Sequence, residues 1–262
     1  MMDMFSLKDR VVAVIGSGSG IGQAVAEATA AQGAHTVCLD LNREAAEATA
    51  ARIAAAGAPA SAQRIDLADE ADVRTRLSEL AARHGRLDGL VCTPAVNVRK
   101  PLLQYTLPEF DKVVGLNLRA NFVALQAAGQ IMTTQGHGSI VLFSSIRAVS
   151  TEPGQSVYAM TKAGIIQLAK TAATEWAKHG VRVNVVGPGV VETPLTAGIK
   201  NDPDWYNAYA AKNPMNRWAQ PGEMAGPAVF LLSEAASYIT GTVIFADGGW
   251  LAADGRFTPK GM

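Results

Sequence analysis

Residues 11–22 read VVAVIGSGSGIG. Five apolar residues, Val11 to Ile15, run without a polar break into Gly16, Gly18, Gly20 and Gly22. A short continuous apolar run closed by glycine predicts a strand buried on both faces. The alanine-rich stretch 23–32 predicts a helix, stopped by Gly33. A strand that opens through glycines into a helix lets the backbone approach a pyrophosphate closely, and helix N-terminal amides then meet the phosphate. The stretch lacks a Gly-Lys-Ser/Thr ending, which disfavours a triphosphate loop. A glycine-rich turn with no ligand is the alternative reading.

The same alternation extends along the chain. Further strands are predicted at 35–39, 61–65, 90–92, 139–143, 181–186 and 242–246, and further helices at 43–56, 69–84, 108–132 and 156–178. Seven near-continuous apolar strands with helical crossovers predict an α/β fold: a doubly wound parallel sheet with helices on both faces, in three layers. No composition break marks a linker, so 1–262 is expected to form a single domain. Residues 192–219 carry Pro194, Pro203 and Pro214 together with Trp205, Tyr206, Tyr209 and Trp218. They are expected to form a helical excursion, followed after the last strand by an aperiodic tail at 251–262.

Composition narrows the function. Of 262 residues 48% are hydrophobic, and 23 basic residues balance 23 acidic ones. Zero net charge argues against a broad nucleic-acid footprint. The two cysteines, Cys38 and Cys92, lie in apolar runs, which points to a reducing compartment and a cytoplasmic location. His35, His84, His137 and His179 show no metal-ligand spacing. The opening MMDMFSLKDR does not read as a signal peptide, and no apolar run is long enough to span a membrane. A small-molecule ligand is therefore expected, without nucleic acid or membrane.

Asp40 ends the second predicted strand, 24 residues after Gly16. A carboxylate there would accept from an adenosine ribose 2′-hydroxyl and repel a 2′-phosphate. Ser19 adds no cation and Arg43 reads as solvent-facing, so NAD is expected over NADP. Asp66 would hold the adenine edge, with Leu67 beside the ring. A helix-capping role is the alternative for both aspartates. A second constellation is Ser145, Tyr158 and Lys162. Tyr158 and Lys162 are four apart, on one face of a predicted helix. A tyrosine is a poor acid or base near neutrality, and a neighbouring ammonium would pull its pKa down. The phenol could then exchange a proton with a substrate hydroxyl that the serine also holds. No G-x-S-x-G elbow surrounds Ser145, which argues against acyl transfer. Taken alone, the pair also reads as a core tyrosine beside a snorkelling lysine.

Together, IGSGSGIG at 15–22, Asp40, Asp66, Asn117 in GLNLRANF, Ser144–Ser145, YAMTK at 158–162, VRVNVVGPGVVETP at 181–194 and ITGTVIFADGG at 239–249 resemble a classical short-chain dehydrogenase/reductase. The resemblance spans about 7–250 and implies a Rossmann-type sheet and reversible hydride transfer between a secondary alcohol and a nicotinamide, without a metal. It implies Tyr158 as general acid/base, Ser145 polarising the substrate oxygen, Lys162 binding the nicotinamide ribose and lowering the tyrosine pKa, and Asn117 holding a relay water by bending its helix. It places Gly16, Gly18, Ser19, Gly20, Ile21, Leu41, Cys92, Thr93 and Pro94 near the dinucleotide. Pro188, Gly189, Val191 and Thr193 would line the nicotinamide. It also implies a homodimer or homotetramer.

Two departures stand out. Ile15 replaces a usual threonine, and Cys92-Thr93-Pro94-Ala95 replaces Asn-Asn-Ala-Gly. A coupled exchange, apolar group facing apolar group, would reconcile Ile15 with Cys92. Pro94 lacks an amide donor and Ala95 adds a methyl where glycine allows close approach. For the substrate pocket the candidates are Val96, Asn97, Ile146, Arg147, Gln155, Gly187, Glu192 and Trp205. Arg147 would pair with a substrate carboxylate if turned inward; an exposed loop arginine is the alternative. These residues resemble those of sugar-acid, sugar and polyol dehydrogenases such as the gluconate 5-dehydrogenases. A 3-oxoacyl-thioester reductase, a steroid or cyclic-alcohol dehydrogenase and a non-enzymatic NAD-responsive module are the alternatives.

Overall fold

The computed structural model describes residues 3–255. Seven strands form one sheet: β1 (Val11–Ile15), β2 (His35–Asp40), β3 (Ala60–Arg64), β4 (Gly89–Cys92), β5 (Gly138–Phe143), β6 (Val181–Pro188) and β7 (Val243–Ala246). Their order is β3-β2-β1-β4-β5-β6-β7, and every pairing is parallel. The order reverses between β1 and β4. Open α/β sheets leave a crevice there, at the carboxyl ends of the strands.

Alternation along the strands divides the core. Val11, Ala13 and Ile15 face one hydrophobic cluster, and Val12 and Val14 face the other. The first cluster is completed by α3 (Glu70–His84), α5 (Ala120–Gln135) and α6 (Ser156–Trp176). The second is completed by α1 (Gly20–Ala31), α2 (Arg43–Ala55) and α9 (Ala225–Leu232). The result is the three-layer arrangement expected from the alternation.

The differences from expectation are local. The helix expected over 108–132 is three pieces: α4 (Leu107–Val114), a π-helical turn at Gly115–Arg119, and α5. The excursion holds α7 (Ala197–Lys200) and α8 (Pro203–Lys212). α9 was not anticipated. It is apolar almost all round, so it lacks the one-faced period that marks a surface helix. Capping falls to neighbours of the predicted aspartates: Asn42 accepts from Ala45 N on α2, and Asp69 accepts from Ala71 and Asp72 N on α3. No helix among the described residues is long and apolar enough to cross a membrane. Of the expected tail, 256–262 lies outside the described residues.

Candidate active site

The glycine loop leaves β1 at Gly16, whose amide donates to Leu39 O (2.8 Å). A Cβ on Gly22 would run into the Gly16 carbonyl, so the turn closes onto α1 only with glycine at that position. Ser19, at the head of α1, is extended and makes no side-chain capping bond. The first-turn amides of α1 are thus presented without a side-chain acceptor from their own cap. Across the groove stands the segment after β6: a Cβ on Gly20 would meet Thr193 and Pro194 at 3.4–3.5 Å. This narrow cleft, floored by glycines with helix amides at one end, fits the pyrophosphate of a dinucleotide.

Asp40 lies beside the loop. Its Oδ2 accepts from Gly18 N (2.9 Å) and its Oδ1 from Asn42 N (2.9 Å). Leu41 is exposed and Leu67 buried. Asp66 pairs with Arg64 (3.1 Å) and accepts from Ala68 N (3.0 Å). At the switch point Ile15 and Cys92 are register partners, each only 1% exposed, in the same hydrophobic cluster. The apolar-on-apolar exchange is therefore what the structure contains. Thr93 takes over the polar tie: its amide and its hydroxyl both donate to Ile15 O, at 3.1 and 3.0 Å. Cys92 faces the core near Lys162, and burial pushes its thiol up to about 12.

Ser145 lies just past the carboxyl end of β5, in extended backbone, and its Oγ accepts from Arg147 N (3.1 Å). With Tyr158 on α6 it lines one small chamber, where its hydroxyl acts to lower the phenol's pKa. One turn further along α6, Lys162 is 2% exposed and donates to Phe143 O (2.9 Å). Its ammonium stands 5.6 Å from the Tyr158 ring centre. Burial holds Lys162 down to about 8. Burial also raises the Tyr158 phenol, while Ser145, Arg99 and Arg147 draw it back down. The sequence reading gave that lowering to Lys162. In the structure the cations acting on the phenol are the two arginines.

Asn117 sits in the π-helical turn, fully buried. Its side chain grips Val96 twice, accepting from Val96 N and donating to Val96 O, both at 2.8 Å. The Asn117 carbonyl accepts from Asn121 Nδ2 (3.0 Å). The turn thus fixes the loop after β4 against α6, where Asn117 also reaches Thr161 Oγ1 (3.3 Å).

Above Ser145 and Tyr158 lies a cavity of about 70 Å³, with Asn97, Arg99, Arg147 and Gln155 in its wall. Arg147 is turned inward and 7% exposed, so the exposed-loop alternative falls. It is paired with Glu152. Tyr209 donates to both oxygens of Glu152 (2.5 and 2.6 Å), and Gln155 Nε2 to one (2.5 Å). Asn97 Nδ2 in turn donates to Gln155 Oε1 (3.1 Å). The sequence reading missed Glu152 and Arg99. Glu152 lies in an ordinary turn-forming stretch, STEPGQ, and its partner Tyr209 is 57 residues away. Glu192 points instead to Tyr206 (2.6 Å) and Lys200 (3.0 Å). Trp205 packs edge-on against Tyr209, with Arg99 5.1 Å over its ring. Tyr206 and Tyr209 stack on Trp218, and Trp250 closes the cluster. A larger cavity, about 610 Å³, opens at the amino ends of the strands, away from this chemistry; Arg86–Asp88 and Arg10–Glu234 pair in its wall, and Arg182 there donates to the carbonyls of Leu231 and Ser233.

A family model described as Enoyl-(Acyl carrier protein) reductase matches residues 15–251. The levodione reductase of Leifsonia aquatica is 35% identical over 254 residues, covering 94% of this chain and 95% of that protein. A gluconate 5-dehydrogenase from Burkholderia cenocepacia J2315, in complex with NADP and tartrate, has a TM-score of 0.93 at 33% identity, over 96% of this chain and 98% of that one. A proposed NAD(P)-dependent gluconate 5-dehydrogenase from Beutenbergia cavernae, with NADP bound at low occupancy, has a TM-score of 0.92 at 38% identity, over 96% and 100%. These NADP-bound relatives overturn the expected selection of NAD. Asp40 itself accepts one amide on each carboxylate oxygen, from Gly18 and Asn42.

Proposed function

The chain belongs to the short-chain dehydrogenase/reductase family, and from that premise we propose that it moves a hydride between a small hydroxylated secondary alcohol, or its ketone, and a nicotinamide dinucleotide, NADP included. The carrying observation is that Ser145 and Tyr158 line one chamber, with Lys162 one helical turn further along α6, beside a glycine-floored cleft. In this reading Gly16, Gly18, Ser19, Gly20 and Ile21 hold the pyrophosphate, and Asp66 and Leu67 flank the adenine. Pro188, Gly189, Val191 and Thr193 line the nicotinamide. Arg43, the first residue of α2 and well exposed, is paired with Glu47 (2.7 Å) and would meet a 2′-phosphate by leaving that pair.

When bound, the dinucleotide supplies or accepts the hydride. Tyr158 exchanges the proton at the substrate oxygen, which the Ser145 hydroxyl holds. The buried ammonium of Lys162 would hold the nicotinamide ribose, and Arg99 and Arg147 leave the phenol in a positive environment. The Asn117 carbonyl, already accepting from Asn121, has one lone pair left for a relay water. The stacked aromatics of the excursion exclude bulk water from the chamber. A narrow polar cavity supports sugars, polyols and sugar acids over sterols. The family model's description favours one second reading, an acyl-thioester reductase.

Exposed Leu103 and Leu107 near α4 and Phe122 on α5 support self-association through these elements. The function is tested by near-ultraviolet absorbance of the reduced cofactor, with NADP or NAD, across polyols, aldoses, aldonates and hydroxyacyl thioesters. Reduction with a polyol, aldose or aldonate supports the reading. Turnover of thioesters alone favours the second reading, and no turnover of any secondary alcohol overturns the hydride transfer.

A further inference from the structure

Asn121 lies at the start of α5, one turn past Asn117, and is only 2% exposed. Its Nδ2 reaches back to two carbonyls of the π-helical turn, Asn117 O at 3.0 Å and Leu116 O at 3.4 Å. A widened turn moves its carbonyls away from their usual backbone donors. The Asn121 amide brings a donor to them from the side chain, by bonding back along its own helix. The other half of the same amide has no such use: Oδ1 is buried without a hydrogen-bond partner. A leucine, close in shape, would leave no stranded acceptor there. What asparagine adds at this position is therefore the N–H donor, held against a desolvation penalty on Oδ1.

That donor steadies a residue on which the site is built. The Asn117 side chain is committed to its neighbours, to Val96 N and O and to Thr161 Oγ1. Its carbonyl is what Asn117 can offer a water. The turn also lies directly against α6, which carries Tyr158 and Lys162. Thr161 Oγ1 donates to Tyr158 O (2.8 Å), and a Cβ on Gly164 would meet Leu118 at 3.1 Å. A carbonyl in this turn is thus placed beside the helix of the proton-carrying groups, and its direction is set by what holds the turn open.

We propose that Asn121 is a positioning residue of the proton path: its amide holds the Asn117 carbonyl in the widened turn and so fixes the direction in which that carbonyl receives the relay water. The inference rests on the proposed hydride transfer with its relay water, and adds the group that aims the carbonyl. Asn121 does not line the chamber and acts through Asn117.

Asn121→Ala and Asn121→Ser form the test pair. Both shorten the side chain to nearly the same size, but the serine hydroxyl still donates to the carbonyl four residues back. Crystal structures of the native protein and both variants read the water directly, without substrate. A water bonded to Asn117 O is expected in the native protein and in Asn121→Ser, and is expected to be lost in Asn121→Ala, with the bonds to Val96 intact in all three. Asn121→Ala should keep its affinity for NADP in calorimetric titration. Its kcat, taken with the fastest of glucitol, glucose and gluconate, should fall about tenfold, the effect of one hydrogen bond, while Asn121→Ser stays within about threefold of native. Should Asn121→Ala not fold, the isosteric pair Asn121→Val and Asn121→Thr repeats the comparison. An unmoved water in the variant without the donor overturns the inference. So does an equal fall of kcat in both members of the pair, which marks a packing role, and so does a native protein with no water on Asn117 O. The water comparison needs no turnover, so a failure of the hydride-transfer reading shows separately, as no turnover of any secondary alcohol.

Discussion

At Tyr158 burial and charge act in opposite directions. Desolvation raises the phenol, while Ser145 and the two arginines lower it. Removing the hydroxyl removes the proton carrier and leaves the cleft intact. Tyr158→Phe should therefore keep cofactor affinity and lose at least about a hundredfold in kcat, read in steady-state kinetics. Lys162 carries a stability consequence. Its usual pKa is 10.5 and burial lowers it to about 8. A base with a lowered folded pKa contributes stability fully above its unfolded pKa and loses it as pH falls through the folded one. Lys162→Met should thus melt at or above the native temperature at pH values below about 8, and its advantage should vanish as pH rises past 10.5. Thermal denaturation at several pH values checks this; an advantage growing with pH would reverse the sign. These residues were legible because their chemistry sits in local spacing, YAMTK above all. Glu152 was not legible, since its role comes from Tyr209 and two arginines folding onto it.

The π-helical turn between α4 and α5 is the element on which the loop after β4 depends. Asn117→Leu removes both bonds to Val96 and leaves that residue's N–H and C=O without partners, at about 1–3 kcal/mol for each group left buried. A clear fall in melting temperature is expected, with loss of activity; an unchanged melting temperature would show that the grip on Val96 carries no stability. The sequence reading ran one helix over this stretch because the π-helical turn continues the helix without a cap or proline break between α4 and α5, although its extra residue rotates the faces beyond it by about 100°. The strands were legible for the opposite reason. Most are apolar runs ending at glycine or a polar residue, as Val11–Ile15 ends at Gly16, while β3, ASAQR, is polar and half-buried and gave the weakest signal. Even the Ile15–Cys92 exchange could be read, because both positions fall at the ends of adjacent parallel strands.

At the scale of the whole molecule, α4 and α5 leave Leu107 and Phe122 facing outward at 77% and 45% exposure. A two-fold pairing would cover them. Sedimentation at micromolar concentration should show assemblies of at least two chains, and Leu107→Glu with Phe122→Glu should shift them toward single chains. Single chains alone in the native protein would refute the pairing. The cofactor expectation failed against whole-chain relatives that hold NADP: Asp40 was read as an acceptor for a ribose hydroxyl that repels a 2′-phosphate, and in the structure its carboxylate also joins the glycine loop to the start of α2. The aromatic cluster over the chamber also gives the molecule an optical property. Three of its four tryptophans, Trp205, Trp218 and Trp250, stand in that one cluster, and two of them lie within 6 Å of a guanidinium. Intrinsic emission is therefore dominated by the excursion rather than by the sheet. It overlaps the absorption band of a reduced nicotinamide, so energy transfer from these indoles would follow binding of the reduced cofactor in real time, without any attached dye.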